Sequence, residues 1–187
     1  MTKLTQPGNS KLGPNIRMFN LPASPSICSM TCPGCYAHRE QTRFPSVLDA
    51  RTVRYDASLS PDFAQRIISE LGSLRKLPPY FRVHASGDFY SQTYIDSWVS
   101  IAQSFPTVTF YAYTKRLKHF DFSILSSLPN FILINSLHFG GLNYGPISTA
   151  PSGAFICPSF QGATCGQSCL YCMSKLAQSN SVFFPKH

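Results

Sequence analysis

Acidic residues are scarce in this sequence: eight Asp and Glu stand against sixteen Lys and Arg, and only 13% of the 187 residues are charged. So low a charged fraction excludes a self-repelling, disordered chain. With 43% hydrophobic residues the chain can bury a core without disulfide staples. No apolar run reaches the roughly 18 residues of a membrane-spanning helix. The opening MTKLTQPGNS holds no apolar h-region, so no secretory signal is read there and a cytoplasmic protein is expected. There is no repeat, no run of five like charges and no convincing linker. One domain over 1–187 is the expectation, with a main body of about 15–157 and a C-terminal cluster-binding segment of about 157–187.

What is present in excess is positive charge and cysteine. The net charge of +8 points to an anionic partner, either a nucleic acid or a phosphate- or carboxylate-bearing small molecule; a basic soluble protein without such a partner is the plain alternative. Seven cysteines, an odd number with no export signal, fit metal binding in a reducing compartment better than a disulfide framework.

The cysteines fall in two groups with one spacing. CSMTCPGC places Cys28, Cys32 and Cys35 at C-x3-C-x2-C, and CGQSCLYC repeats the pattern at Cys165, Cys169 and Cys172, with Cys157 added upstream. Three thiolates on one loop fit a [4Fe–4S] cluster that leaves one iron open to a small ligand. A zinc site would need a fourth ligand, and His38, three residues after Cys35, is the candidate. The four cysteines of the second group can close a site fully, as a [4Fe–4S] cluster or as all-thiolate zinc. Four scattered buried thiols are the alternative.

Between the groups, strands and helices alternate. Strands are expected at 15–23, 80–85, 107–113, 130–139 and 153–158, on their β-branched and aromatic content. A helix is expected over 60–76, with Ser60 as N-cap and Pro61 in its first turn, and another after Ser91 over 92–105. A shorter helix is placed at 121–128, and GGLNYGP (140–146) reads as a loop. The order implies an α/β fold with a parallel sheet built by crossovers. At this length the natural limit is a partial (β/α) barrel of about four to six parallel strands, followed by a cysteine-rich C-terminal tail.

Three stretches carry a family resemblance: LPAS…TCPGCYAHR (21–39), FRVHASGDFYSQTYIDSWVSIAQSFPTVTFYAYTKR (81–116) and ICPSF…TCGQSCLYC (156–172). The chain resembles the radical S-adenosylmethionine superfamily, and within it the short phage and plasmid proteins of the "gene product 88"-like family. The resemblance implies an enzyme in which Cys28, Cys32 and Cys35 ligate the catalytic [4Fe–4S] cluster, with a second, auxiliary cluster at the tail. S-adenosylmethionine would chelate the open iron and be cleaved after an electron arrives from a donor such as flavodoxin or ferredoxin. Ser86, Gly87 and Asp88 would then meet the cofactor's amino group, and Asn135 and Ser136 its ribose or carboxylate. The superfamily's aromatic before the third cysteine is Gly34 here, with Tyr36 following, whereas Tyr171 does precede Cys172.

Other residues have two readings each. His84 either handles protons or is a core histidine. Tyr111 and Tyr113 share one face of a strand, lining a pocket or packing a core, with Lys115 and Arg116 beyond them. Arg39 and Arg43 either offset cluster charge or are solvated. A non-enzymatic alternative remains: an iron–sulfur or zinc-stabilised nucleic-acid-binding protein.

Overall fold

Two buried faces of one sheet organise the molecule, described here by a computed structural model covering residues 3–28, 35–136, 142–145, 148, 150, 152–179 and 182–185. The sheet runs β1 (Gln6–Pro7), β2 (Ile16–Phe19), β3 (Tyr80–Val83), β4 (Thr109–Thr114) and β5 (Phe131–Asn135), in that order. Strands β2 to β5 are parallel; β1 joins β2 antiparallel. Helices occupy the crossovers. After β2 come α1 (Pro25–Cys28), α2 (Tyr36–Arg43), α3 (Pro45–Ser58) and α4 (Phe63–Gly72); α5 (Gln92–Ser104) precedes β4, and α6 (Ser123–Ser127) precedes β5. Spatial order follows chain order, as repeated crossovers in one direction produce. The sheet keeps two edges, β1 and β5, and among the described residues it closes into no barrel.

The strand period of two sorts the side chains. Phe81 and Val83, Phe110 and Ala112, and Phe131 and Leu133 face the helices, packing with Phe63, Ile67, Leu71 and Trp98. Trp98 meets Phe19 and Phe81 at ring-centroid distances of 5.6 Å each, within the range of favourable aromatic pairs. The intervening residues Ile16, Met18, Tyr111, Ile132 and Ile134 face the other way, against Leu12, Met173 and Ala177. Parallel sheets bury both faces because each crossover supplies a cover. Here the second cover is the cysteine-rich segment, through a 3-10 turn at Tyr171–Met173 and α7 (Leu176–Ser179).

A second, three-stranded sheet combines β6 (Leu142–Gly145), β7 (Phe155–Ile156) and β8 (Val182–Pro185) in the order β6-β8-β7, all parallel. It places a strand where the loop GGLNYGP was expected. The correction has a plain cause: β6 draws its ladder from residues about forty positions away, a pairing no local pattern announces.

Helix α5 begins as its sequence predicts: Ser91 Oγ accepts from the Tyr94 N–H at 3.2 Å, and Tyr94, Ile95, Trp98, Ile101 and Ala102 are buried. Helix α4 is shorter than expected. Asp62, not Ser60, precedes its first residue and makes no side-chain cap bond. Ser60 instead accepts the Phe63 N–H through its carbonyl at 3.0 Å, so Ser60 and Pro61 lie in the turn before the helix. Helices α2 and α3 were not anticipated. The residues α3 buries are Arg51, Ala57 and Ser58, which write no apolar stripe.

Candidate functional site

Parallel α/β folds place ligands at the carboxyl ends of their strands, and here those ends are fastened to one another. After β3 the turn Ser86-Gly87-Asp88 is bonded on both sides. Towards β2, Leu21 N–H donates to Ser86 O at 3.0 Å and Ser86 Oγ donates to Leu21 O at 2.9 Å. Gly87 has φ +86°, and a Cβ there would lie 2.6 Å from Leu21 Cβ, so only glycine fits. Towards β4, Asp88 Oδ1 accepts from Thr114 Oγ1 at 2.7 Å and from its neighbour's Phe89 N–H at 2.8 Å, and Oδ2 accepts from Lys115 N–H at 2.9 Å. Burial raises the Asp88 carboxyl, opposed by these bonds and by the charge of Arg116. Ser136 N–H then donates to Thr114 O at 2.8 Å, adding β5 to the row. Thus Ser86, Gly87, Asp88, Asn135 and Ser136 do stand together at the strand ends. Asp88 spends both oxygens on the frame.

The first cysteine loop is fastened on both flanks, on one of them to this frame. Cys28 ends α1 and Cys35 precedes α2, while Cys32 lies outside the described residues. On the near flank, Gln41 of α2 holds the backbone of Ala23. Ala23 N–H donates to Gln41 Oε1 at 2.9 Å, and Gln41 Nε2 donates to Ala23 O at 3.0 Å. Buried Arg51 supports Gln41 from α3, donating to Oε1 at 3.3 Å and to Ala37 O at 2.9 Å, and it pairs with Glu40. On the far flank the Tyr36 hydroxyl donates to Ala85 O, at the carboxyl end of β3.

The second group gathers on the opposite side of the sheet from helices α3–α5. Phe155 and Tyr171, each close in sequence to a cysteine, stack at 3.8 Å with their planes 2° apart, which draws Cys157 towards Cys172. Cys165 and Cys169 face each other across an isolated bridge, and Cys157 N–H donates to Phe183 O at 2.9 Å. Burial, then the adjoining Cys165 and Cys157, push the Cys172 thiol up to about 11, against a hydrogen bond from the Tyr113 hydroxyl and the charge of Arg82. Cys165 is likewise raised by burial, Cys157 and Cys169. These four are electrostatic neighbours, and none of them is in a disulfide. Among the described residues, however, no three His, Cys, Asp or Glu side chains stand ready as a metal-holding group.

Two of the enclosed thiols, Cys165 and Cys172, favour their protonated forms, and a cation bound there would have to exchange for those protons. The sequence reading also missed a residue beside them. Arg82, in β3, alternates with Phe81 and Val83 and so faces the cysteine side. Its guanidinium lies 5.0 Å from the centre of the Tyr113 ring, and its Nε is enclosed without a hydrogen-bond partner. A charged residue within a strand of a two-sided buried sheet was the available signal.

The other candidates differ in burial. His84 is buried at φ +66°, its Nε2 2.8 Å from the Tyr94 hydroxyl; burial, then Arg82, lowers it to about 3, so it stays neutral. Tyr111 and Tyr113 do share a face, the one covered by the tail. His38, Arg39 and Arg43 are exposed on α2, with Arg43 5.4 Å from the Phe44 ring centre. A separate cleft of about 580 Å³, lined by Arg17, Arg75, Lys76 and Thr107, lies at the amino ends of the strands, away from the cysteine loop. No helix among the described residues is long and apolar enough to cross a membrane.

Comparison with known proteins matches residues 2–144 to the family described as Gene product 88, a span that takes in Cys28, Cys32, Cys35 and the 86–88 turn and ends before Cys157. The "Gene 88 protein" of Mycobacterium phage D29 is 28% identical over 130 residues, covering 60% of this chain and 52% of that protein. That of Mycobacterium phage L5 is 29% identical over 128 residues, with the same coverage. The chain therefore spans about half the length of these curated relatives. No solved structure matches it.

Proposed function

The chain belongs to the gene product 88 family, and from that premise we propose an iron–sulfur protein of radical S-adenosylmethionine type, built on a partial-barrel sheet. Cys28, Cys32 and Cys35 would hold a [4Fe–4S] cluster with one open iron, and Cys157, Cys165, Cys169 and Cys172 a second, closed centre. The observation that carries this reading is that both flanks of the first cysteine loop are fastened, Gln41 to Ala23 in the segment after β2 and Tyr36 to Ala85 just past the carboxyl end of β3. A loop held so would present its thiols near the place where such sheets bind ligands. When bound, the open cluster supplies one-electron chemistry to S-adenosylmethionine.

The chain's own residues have narrower tasks. Ser86 and Gly87 shape the edge against which the cofactor would lie, and Asp88 keeps that edge in register with β4. Asn135 and Ser136 stand at the neighbouring strand end, within the same row. The excess of positive charge favours an anionic substrate and an electron donor with an acidic face, such as flavodoxin or ferredoxin.

Anaerobic purification followed by iron and sulfide analysis is the first test. Incubation with dithionite and S-adenosylmethionine is the second, and release of 5′-deoxyadenosine is the expected result. Iron and sulfide without that product would overturn the enzymatic part. The +8 net charge also favours a second reading, a metal-stabilised nucleic-acid-binding protein. Zinc without sulfide, together with steeply salt-dependent binding to DNA or RNA, would establish it instead.

A further inference from the structure

Arg51 shows how this protein satisfies an enclosed arginine: its guanidinium donates to Ala37 O, to Gln41 Oε1 and to Glu40. Arg116 is nearly as enclosed, 9% exposed against 6%, and has no such partners. Its Nε is buried without a hydrogen-bond partner, and the ion pairs among the described residues are Arg17–Glu70 and Arg51–Glu40. A buried donor left orphaned costs stability, so one that persists calls for a reason. Asp88 feels the charge of Arg116, yet its oxygens accept from Phe89, Thr114 and Lys115 instead. Arg82 also has an orphaned Nε, but it lies within β3, whereas Arg116 stands just past the carboxyl end of β4. That end of a parallel sheet is where ligands bind.

The side chain is held in place all the same. Arg116 N–H donates to Thr114 Oγ1 at 3.0 Å, and Arg116 O accepts from the His119 N–H at 2.8 Å, so its backbone is tied on both sides. The guanidinium lies over the Phe120 ring, 4.9 Å from its centre. Stacking on an aromatic face leaves the in-plane N–H fork of an arginine free to donate. Such a fork matches the paired oxygens of a phosphate.

We propose that Arg116 is the anion receptor at the strand ends, binding the phosphate group of a small phosphorylated substrate. Lys118 and His119 are exposed on the same turn, and their field favours a doubly charged phosphate over a singly charged carboxylate. One enclosed fork fits one phosphate group better than a run of backbone phosphates. The inference rests on the proposed function for the place of the substrate, beside the row of Ser86, Asp88 and Ser136, but not on any metal or on cleavage of S-adenosylmethionine.

The experiment titrates the full chain with inorganic phosphate at constant ionic strength and follows the melting temperature. The proteins are wild type, Arg116→Lys, Arg116→Gln and, at the opposite ends of the strands, Lys76→Gln. R116K keeps a cation near Asp88 and loses the fork, so it separates a receptor from a mere counter-charge and serves if R116Q folds poorly. Phosphate should raise the melting temperature of wild type and K76Q, and acetate should not. The apparent dissociation constant for phosphate should rise about tenfold or more in R116K and R116Q, the effect of one charged hydrogen bond. A nucleoside monophosphate should stabilise wild type as phosphate does, and its nucleoside should not. A wild-type chain that ignores phosphate, or an R116K chain that responds as wild type does, overturns the assignment. Stabilisation by acetate alone, or by a single-stranded oligonucleotide alone, also overturns it, the first pointing to a carboxylate ligand and the second to a nucleic-acid backbone. Release of 5′-deoxyadenosine is read separately: its absence overturns the cluster chemistry and leaves the phosphate result standing.

Discussion

Gln41 and Ala23 are joined as a side chain and a backbone seldom are: one amide group satisfies both the N–H and the carbonyl of the same residue, at 2.9 Å and 3.0 Å. Ala23 lies ahead of α1 and Cys28, and Gln41 lies past Cys35, so this pair closes the base of the first cysteine loop. Gln41→Leu leaves two buried backbone groups and one Arg51 donor without partners. The expected loss is about 2–4 kcal/mol, measurable by urea denaturation. Iron bound to the first cysteine group should fall with it, while the tail group loads as before.

Asp88 tests whether the 86–88 turn is frame or contact. Asp88→Asn preserves shape but turns one accepting oxygen into a donor that faces Lys115 N–H or the Phe89 and Thr114 donors. We expect a loss of about 2–3 kcal/mol in the absence of any cofactor. Unchanged unfolding together with weakened S-adenosylmethionine binding, measured by equilibrium dialysis, would return Asp88 to the role of a ligand contact.

Two glycines should respond with opposite signs. Gly87→Ala forces a Cβ against Leu21 at φ +86° and should destabilise by about 2 kcal/mol or more. Gly72, within helix α4, has nothing within 4 Å of a Cβ position. Gly72→Ala should therefore stabilise by roughly 0.5–1 kcal/mol. Paired thermal melts of the two variants check both.

Glu70 supplies the acid sensitivity of the N-terminal strand. Its carboxylate accepts Leu4 N–H at 2.7 Å, Thr5 N–H at 3.0 Å and the Thr5 hydroxyl at 2.5 Å, with Arg17 at 3.4 Å. Burial raises its carboxyl, but these bonds outweigh burial, and the net displacement is below the ordinary 4.5. A carboxyl held lower in the folded state stabilises it above the unfolded value and loses that contribution as the pH falls through the folded one. Glu70→Gln should lower the melting temperature at pH 7, and the gap from wild type should narrow below about pH 4.

The legible parts of the structure were those fixed by nearby residues. Ser91 and the stripe from Tyr94 to Ala102 lie within one helix, and the alternation in TFYAYT lies within one strand, so periodicity reported them correctly. Helix α3 was missed because its inward residues are Arg51, Ala57 and Ser58, with Arg51 held by Glu40 and Ala37 rather than placed by apolar spacing. Strand β8 was missed because its partners come from residues 142–145 and 155–156. The cysteine spacing singled out the thiols of the tail, yet Arg82 passed as one cation among sixteen. What distinguishes it is its position in the parallel register, which pairing alone sets.

The order β6-β8-β7 puts the strand that comes latest in this layer's sequence order in its middle. During vectorial synthesis, β6 and β7 therefore wait side by side for a template until residue 185 has left the ribosome. Deleting residues 182–185 would orphan both strands at once and free the backbone of Cys157, which is tied to Phe183. Completion of the cysteine-bearing layer thus waits on β8, a clasp that fastens both of its neighbours at once.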